Sequence, residues 1–469
     1  MAQCSRVVSG EAIRVLWEDM DDIEPLLKVI PALQVTASIR SGIPVRVYNV
    51  TRPLNAEDWT RFHFYSRHIR SLRYEFDGTN DRAISLLSQY SLGPLLSSLH
   101  ELKWLVTRHH HSSGPPSVEF FMTQFLPLAG TALRSLSIHG YFGHSEEDRN
   151  FLVAFLHMSP QRCPKIECLQ LDGLRSRMCS GLSFVGRFQQ LKYLDLGHSL
   201  DPPTFDMPAL LAMSKLPRLC QLKFLAVYGE NLTPASLEPG FPSLTSLHIC
   251  DGDLVGVKLL LGAISSASLT RCSIEMLGNG TAGEYLACLA AIATKASSLV
   301  DLNFSCTLQC DGWELREAGR EICRILSGQS FLRLSRLAIS HGQASSTSQI
   351  APPYAVGLGL AWPSLTSLNL QGTLFTFSIP ALSTFASNCP SLQTLTLPSL
   401  DVISNDVWTT PEIPILSHGL RILRVYYRDG IISDVAFAGI LDRLFPNLQR
   451  VRSDQENRLC LRSCDEERS

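Results

Sequence analysis

The chain is short of charge. Asp, Glu, Lys and Arg make up 18% of its 469 residues, and 41 basic against 43 acidic side chains leave a formal charge of −2. A surface that coats a phosphate backbone or an anionic membrane needs a surplus of Lys and Arg, so neither nucleic acid nor membrane is an expected partner. Long apolar runs are missing too: YAVGLGLAW at 354–362 is among the longest, about half of the ~18 residues that a spanning helix requires. The opening MAQCSRVVSGEAIRVLWEDMDD has no basic segment leading into an apolar stretch and a small-residue cleavage site. These absences predict a soluble protein of the cytoplasm and/or nucleus.

Paired cysteines are also absent. Fourteen cysteines are scattered singly, and the closest spacings are Cys163/Cys168, Cys306/Cys310 and Cys460/Cys464. None is a C-x-x-C or is followed by H-x3-5-H, so neither a structural zinc site nor a disulfide framework is expected. His109, His110 and His111 sit in a Ser/Gly/Pro-rich stretch (107–117); adjacent loop histidines splay apart, and no metal is predicted there. The chain has no phosphate-binding glycine loop, no G-x-S-x-G and no H-E-x-x-H. No enzyme and no cofactor is predicted.

What is present is leucine, in a repeating pattern. L-x-x-L-x-L, with conservative exchanges, recurs from a loose copy at Ile69 (IRSLRYEF) through LHELKW at Leu99, LKYLDL at Leu191 and LTSLHI at Leu244. It continues through LTSLNL at Leu365 to a degraded LQRVRS at Leu448. Fourteen units at a mean spacing of about 29 residues define a leucine-rich repeat. The unit between Leu191 and Leu244 reads most simply as LKFLAV from Leu222, which makes the steps range from 22 to 35 residues.

Within each unit the second and third hydrophobes are two apart, the period of a strand. Between the strands lie segments with apolar residues three and four apart: 146–158, 255–264, 283–296, 313–326 and 436–445. Strand and helix in alternation cannot bury an apolar face alone and must stack on their neighbours. The expected fold is therefore α/β: a leucine-rich-repeat solenoid (horseshoe), parallel strands on the concave face, helices outside, and a short helical N-terminal cap. The expected organisation is a helical segment over 1–30, a capping region with the first degenerate repeat over 31–98, the solenoid over 99–455 and a polar tail over 456–469. HGQASSTSQIAPP (341–353) reads as a polar insertion.

Several units begin with a Cys or aromatic followed by Pro: CPKIECLQL, FPSLTSLHI, WPSLTSLNL, CPSLQTLTL and FPNLQRV. Proline there stops the preceding helix and holds the chain extended. This pattern resembles the cysteine-containing leucine-rich repeat of F-box proteins. SRVVSGEAIRVLWEDMDDIEPLLKVIP and AEDWTRFHFYSRHIRSLRY (56–74) resemble fungal F-box/leucine-rich-repeat proteins, the former covering only the C-terminal half of an F-box. The resemblance implies docking on a Skp-type adaptor of a cullin ubiquitin ligase, carried by Ala12, Ile13, Leu16 and Trp17. The alternative role for these four is to cap the open end of the solenoid.

Recognition then falls to the exposed strand face. Counting positions 5 and 7 from the first leucine singles out Asp172, Asp195, Tyr228 and Glu275 in the middle units. In the C-terminal units it singles out Arg424, Tyr426 and Arg452, with Arg428 and Arg450 beside them. Arg and Tyr are enriched at interface hot spots, which makes the C-terminal cluster the preferred contact with an unknown target protein. The expected function is a substrate receptor of a Skp/cullin ubiquitin ligase; the alternative is a free-standing repeat scaffold.

Overall fold

The computed structural model describes residues 6–40, 43–76, 81–91, 93–106, 118–140, 146–173, 176–197, 207–232, 238–308, 312–328, 331–343, 362–371, 377–401, 415–429 and 434–453. The histidine-bearing stretch 107–117, the tail from 454 and most of the 341–353 insertion lie outside them. Within the described part of that insertion, residues 341–343 complete a strand. The chain divides into two compact units, one of residues 1–226 and 238–244, the other of 227–237 and 245–469.

The first unit opens with helix α1 (Arg6–Glu18), strand β1 (Asp19–Met20) and the short helix α2 (Glu24–Leu27). Ile23, Leu26, Leu27 and Ile30 are buried together. An antiparallel hairpin follows, β2 (Leu33–Arg40) on β3 (Ile43–Val50), outside the main sheet. Helix α3 (Ala56–Ser66) starts at an Asn55–Asp58 capping box, and Arg52 clamps Asp58 at 2.6 and 2.9 Å. That guanidinium holds the Asp58 carboxyl below its ordinary pKa.

The repeats then begin. β4 (Ser71–Phe76), β5 (Glu101–Val106), β6 (Ser135–Gly140), β7 (Cys168–Asp172), β8 (Tyr193–Leu196) and β9 (Gln221–Val227) lie parallel in chain order, and β1 joins β4 at the start. Between them come α4 (Asp81–Tyr90), α5 (Val118–Leu128), α6 (Glu146–Arg162), a 3-10 stretch (Ser176–Arg187) and α7 (Met207–Ser214).

The second unit repeats the scheme with β10 (Ser246–Gly252), β11 (Arg271–Gly280), β12 (Asp301–Leu308), β13 (Arg336–Gln343) and β14 (Ser367–Gln371). It closes with β16 (Thr394–Asp401), β17 (Ile422–Asp429) and β18 (Arg450–Ser453), while the two-residue β15 (Phe377–Ser378) pairs the end of β16. Its helices are α8 (Leu254–Ala263), α9 (Ala282–Ala293), α10 (Gly312–Leu326), α11 (Ile379–Asn388) and α12 (Asp434–Leu444). All five segments of helical period are therefore helices, and each unit is a leucine-rich-repeat stack.

Two hydrogen bonds recur and explain the repeat. The Cys or aromatic before each proline is buried, and its carbonyl accepts the N–H of the first leucine three residues on: Ile166 to Cys163, Leu244 to Phe241, Leu365 to Trp362, Leu392 to Cys389 and Leu448 to Phe445. The residue after that leucine offers one carbonyl to two consecutive N–H groups of the next repeat. Arg134 thus receives Glu167 and Cys168, and Thr270 receives Val300 and Asp301. Within each unit the register is pinned this way from repeat to repeat, since a slip of one residue would turn each leucine outward.

The same markers correct one unit. Leu222 pairs with Leu194 and Phe224 with Leu196, so the repeat reads LCQLKF from Leu219, three residues earlier than the simplest reading. The adjoining steps become 28 and 25 residues.

His418 joins the last repeats. Its Nδ1 accepts the Leu420 N–H at 3.0 Å, which leaves Nε2 as the donor to the Cys389 carbonyl at 2.7 Å, and Phe445 meets the ring edge-on. This pairing needs a neutral ring, and burial holds the His418 pKa below its ordinary value. The unfolded ring protonates first as pH falls through ~6.5, so the stabilisation is complete above that value and is lost below it, toward the depressed folded pKa. His418→Asn should lower stability by about 1–3 kcal/mol at neutral pH. Denaturant midpoints should show the gap narrowing between about pH 7.5 and pH 5.5; a constant gap would show that the ring does not titrate with folding.

Candidate functional site

In each strand the leucine positions face the helices and the residues between them form an open face. In the first unit two acids on this face, Asp172 and Asp195, are already engaged. Asp172 stands opposite His139, with Oδ2 2.5 Å from Nδ1. Asp195 is 7% exposed; it accepts Tyr193 Oη at 2.9 Å, the Gly197 N–H at 2.9 Å and Lys223 Nζ at 3.2 Å. Burial, reinforced by the Asp195 carboxylate, pushes the Tyr193 hydroxyl up to about 12. Asp195 is thus an internal tie between β8 and β9, not the exposed charge expected from its position. The shifted register also replaces Tyr228 by Lys223 on the open face of β9.

Tyr228 follows β9 in the second unit and is half-buried; burial and the nearby carboxylates of Asp251 and Asp253 raise its pKa. Glu275 is exposed on β11, where it accepts Ser273 Oγ at 3.3 Å and Asn303 Nδ2 at 3.0 Å. One row further, Arg336 pairs with Asp301 at 2.5 Å. Ser340 Oγ donates to Ser305 Oγ at 2.6 Å. These ladders satisfy themselves across neighbouring strands.

The end of the sheet differs. The register sets Arg424 opposite Arg452 and Ile422 opposite Arg450. Arg424, Arg450 and Arg452 are exposed, and Tyr426, two residues along from Arg424, is 37% exposed. No carboxylate among the described residues pairs with any of the three arginines. Like charges directly opposite on adjacent strands repel, and here nothing in the described chain offsets them. Arg428 belongs to β17; its side chain lies outside the described residues.

At the other end, α1 is held by Trp17, whose ring lies 4.6 Å from that of Tyr65 on α3. Ile13 is half-buried and Ala12 exposed, while Val15 and Leu16 are 67% and 71% exposed. The four residues singled out in the sequence thus divide: Trp17 and Ile13 pack inward, Ala12 and Leu16 look out. Val15 belongs with the outward pair, and only the packing of α1 on α3 shows it.

Among the described residues no cluster of three or more His, Cys, Asp or Glu could hold a metal, and no helix is long and apolar enough to cross a membrane. The cysteine thiols at 163, 272, 306, 323 and 389 are pushed by burial to about 12, far from the thiolate form that a nucleophile needs.

No protein-family model and no curated protein matches the sequence. Among solved structures the chain is similar to a TDR receptor, at TM-score 0.38 and 16% identity, over 82% of this chain and 55% of that one. It is also similar to the plant peptide hormone receptor RGFR1 in complex with RGF2, at TM-score 0.31 and 13% identity, over 83% of this chain and 68% of the receptor. The match spans about half the length of the first receptor (55%).

Proposed function

We propose that this chain is a non-catalytic leucine-rich-repeat protein that binds a target protein through the open face at the C-terminal end of its second unit. The observation that carries this reading is the in-register pair Arg424 and Arg452, exposed beside Tyr426 and Arg450 and unmatched by any described acid. A repulsive pair left uncompensated on a surface is offset when a partner supplies the opposite charge. Arg and Tyr are also the side chains most often found at binding hot spots.

A second reading, attachment to a Skp-type adaptor of a ubiquitin ligase, is favoured by Val15 and Leu16, which α1 holds out in solvent. Apolar side chains this exposed on one helix are suited to docking.

The two readings are separable in one co-purification. Arg424→Glu/Arg452→Glu should lose the target and keep the adaptor; Leu16→Glu should do the reverse. Lys103→Glu, an exposed residue of the first unit, should change neither. Retention of every partner by the double variant would remove the open-face reading, and retention of the adaptor by Leu16→Glu would remove the ligase link.

A further inference from the structure

The last strand of the second unit combines three features. β18 pairs with β17, and among the described residues nothing pairs with its other edge. Arg450 donates its backbone N–H to the Arg421 carbonyl at 3.1 Å, so the alternation of a strand turns the N–H and C=O of Val451 to the open edge. Val451 itself occupies the core row opposite Leu423. Leu368, Leu395 and Leu423 in that row are 0% exposed, whereas Val451 is 50% exposed. On the opposite face Arg450 and Arg452 stand about 6.6 Å apart along the strand, with Arg424 about 4.8 Å behind Arg452.

We propose that this edge is a strand-addition site for an extended segment of a partner protein with the pattern acidic–apolar–acidic. Such a segment, running antiparallel to β18, would exchange both edge hydrogen bonds with Val451 through its central apolar residue. Its two acidic side chains would fall on the open face against Arg450 and Arg452, and its apolar side chain would cover Val451 from the core side. Arg424 adds a third cation behind the pair, so two carboxylates are met by three guanidiniums. Charged residues on an edge strand also discourage unwanted pairing. That role requires only Arg450 and Arg452; it accounts neither for Arg424 one strand inside nor for an apolar residue between the charges.

The proposal rests on the reading of this end of the sheet as a protein-binding surface, and synthetic peptides test it on the full chain. A peptide centred on Glu-Ile-Glu should bind, as measured by fluorescence anisotropy, more weakly as salt rises. Affinity should fall about tenfold or more with Arg450→Glu/Arg452→Glu, which leaves buried residues untouched, and that variant should instead bind a Lys-Ile-Lys peptide. Methylating the isoleucine nitrogen removes an edge hydrogen bond and should weaken binding similarly. Equal affinity for the methylated peptide, or no binding of either peptide to its matched chain, overturns strand addition. If strand addition fails while Arg424→Glu/Arg452→Glu still loses its target in co-purification, the open-face reading stands alone. If both fail, both are wrong.

Discussion

Gly252→Ala should destabilise the second unit by about 3 kcal/mol or more. Gly252 has φ +127°, and a Cβ built there meets the Val227 carbonyl oxygen at 2.1 Å and its nitrogen at 2.7 Å. Backbone cannot yield as a flexible side chain can. The close approach is part of a knot: Asp253 donates its N–H to that Val227 carbonyl at 2.9 Å and, through its carboxylate, accepts the N–H groups of Gly229 at 2.9 Å and Gly256 at 2.6 Å. Asp253 is also the N-cap of α8, so an added methyl shifts both the loop after β9 and the start of the helix. Gly262, near the end of α8, supplies the control, because a Cβ there meets nothing within 4 Å. Gly262→Ala should be neutral or stabilising by up to about 1 kcal/mol. Similar thermal midpoints for the two variants would show that the positive φ and the close approach carry no cost.

Phe304→Ala should be the costliest single truncation in the second unit, at about 3–5 kcal/mol. The ring is 0% exposed, stacks on Tyr285 of α9 at 4.6 Å between ring centres, and lies in register between Ile274 and Ile339. It therefore joins β12 to its covering helix and to both neighbouring strands. In a stack where each repeat touches only its neighbours, such damage stays local. Hydrogen exchange should show protection lost first in β11, β12 and β13, with the first unit's strands unaffected. Uniform loss along the chain would mean that the repeats unfold as one cooperative body.

Much of this was legible in the residues because one short pattern carries it. The two-residue spacing of hydrophobes located the strands, and the segments of helical period proved to be α6, α8, α9, α10 and α12. The failures share a cause. LKFLAV at Leu222 fits the pattern as well as LCQLKF at Leu219, since both place apolar residues at the required intervals. Pairing with β8 decides between them, and with it whether Tyr228 or Lys223 occupies the open face. The β2–β3 hairpin escaped notice because the repeat pattern has no place for antiparallel pairing.

The candidate site divides along the same line. Composition and spacing predicted that recognition would rest on side chains between the leucines, and they named both Asp195 and Arg452, with preference for the C-terminal cluster that holds Arg452. A charge counted along a chain carries no information about its neighbours across a sheet. Asp195 is paired with Lys223 from the next strand and nearly buried on the open face, whereas Arg452 stands opposite Arg424 with no acid beside it among the described residues. The sequence by itself determined a leucine-rich repeat, its approximate period and its alternation of strand and helix, because burial of leucine depends on local periodicity. The tertiary structure alone decided which charges remain available to a partner, because that depends on register between residues about thirty positions apart.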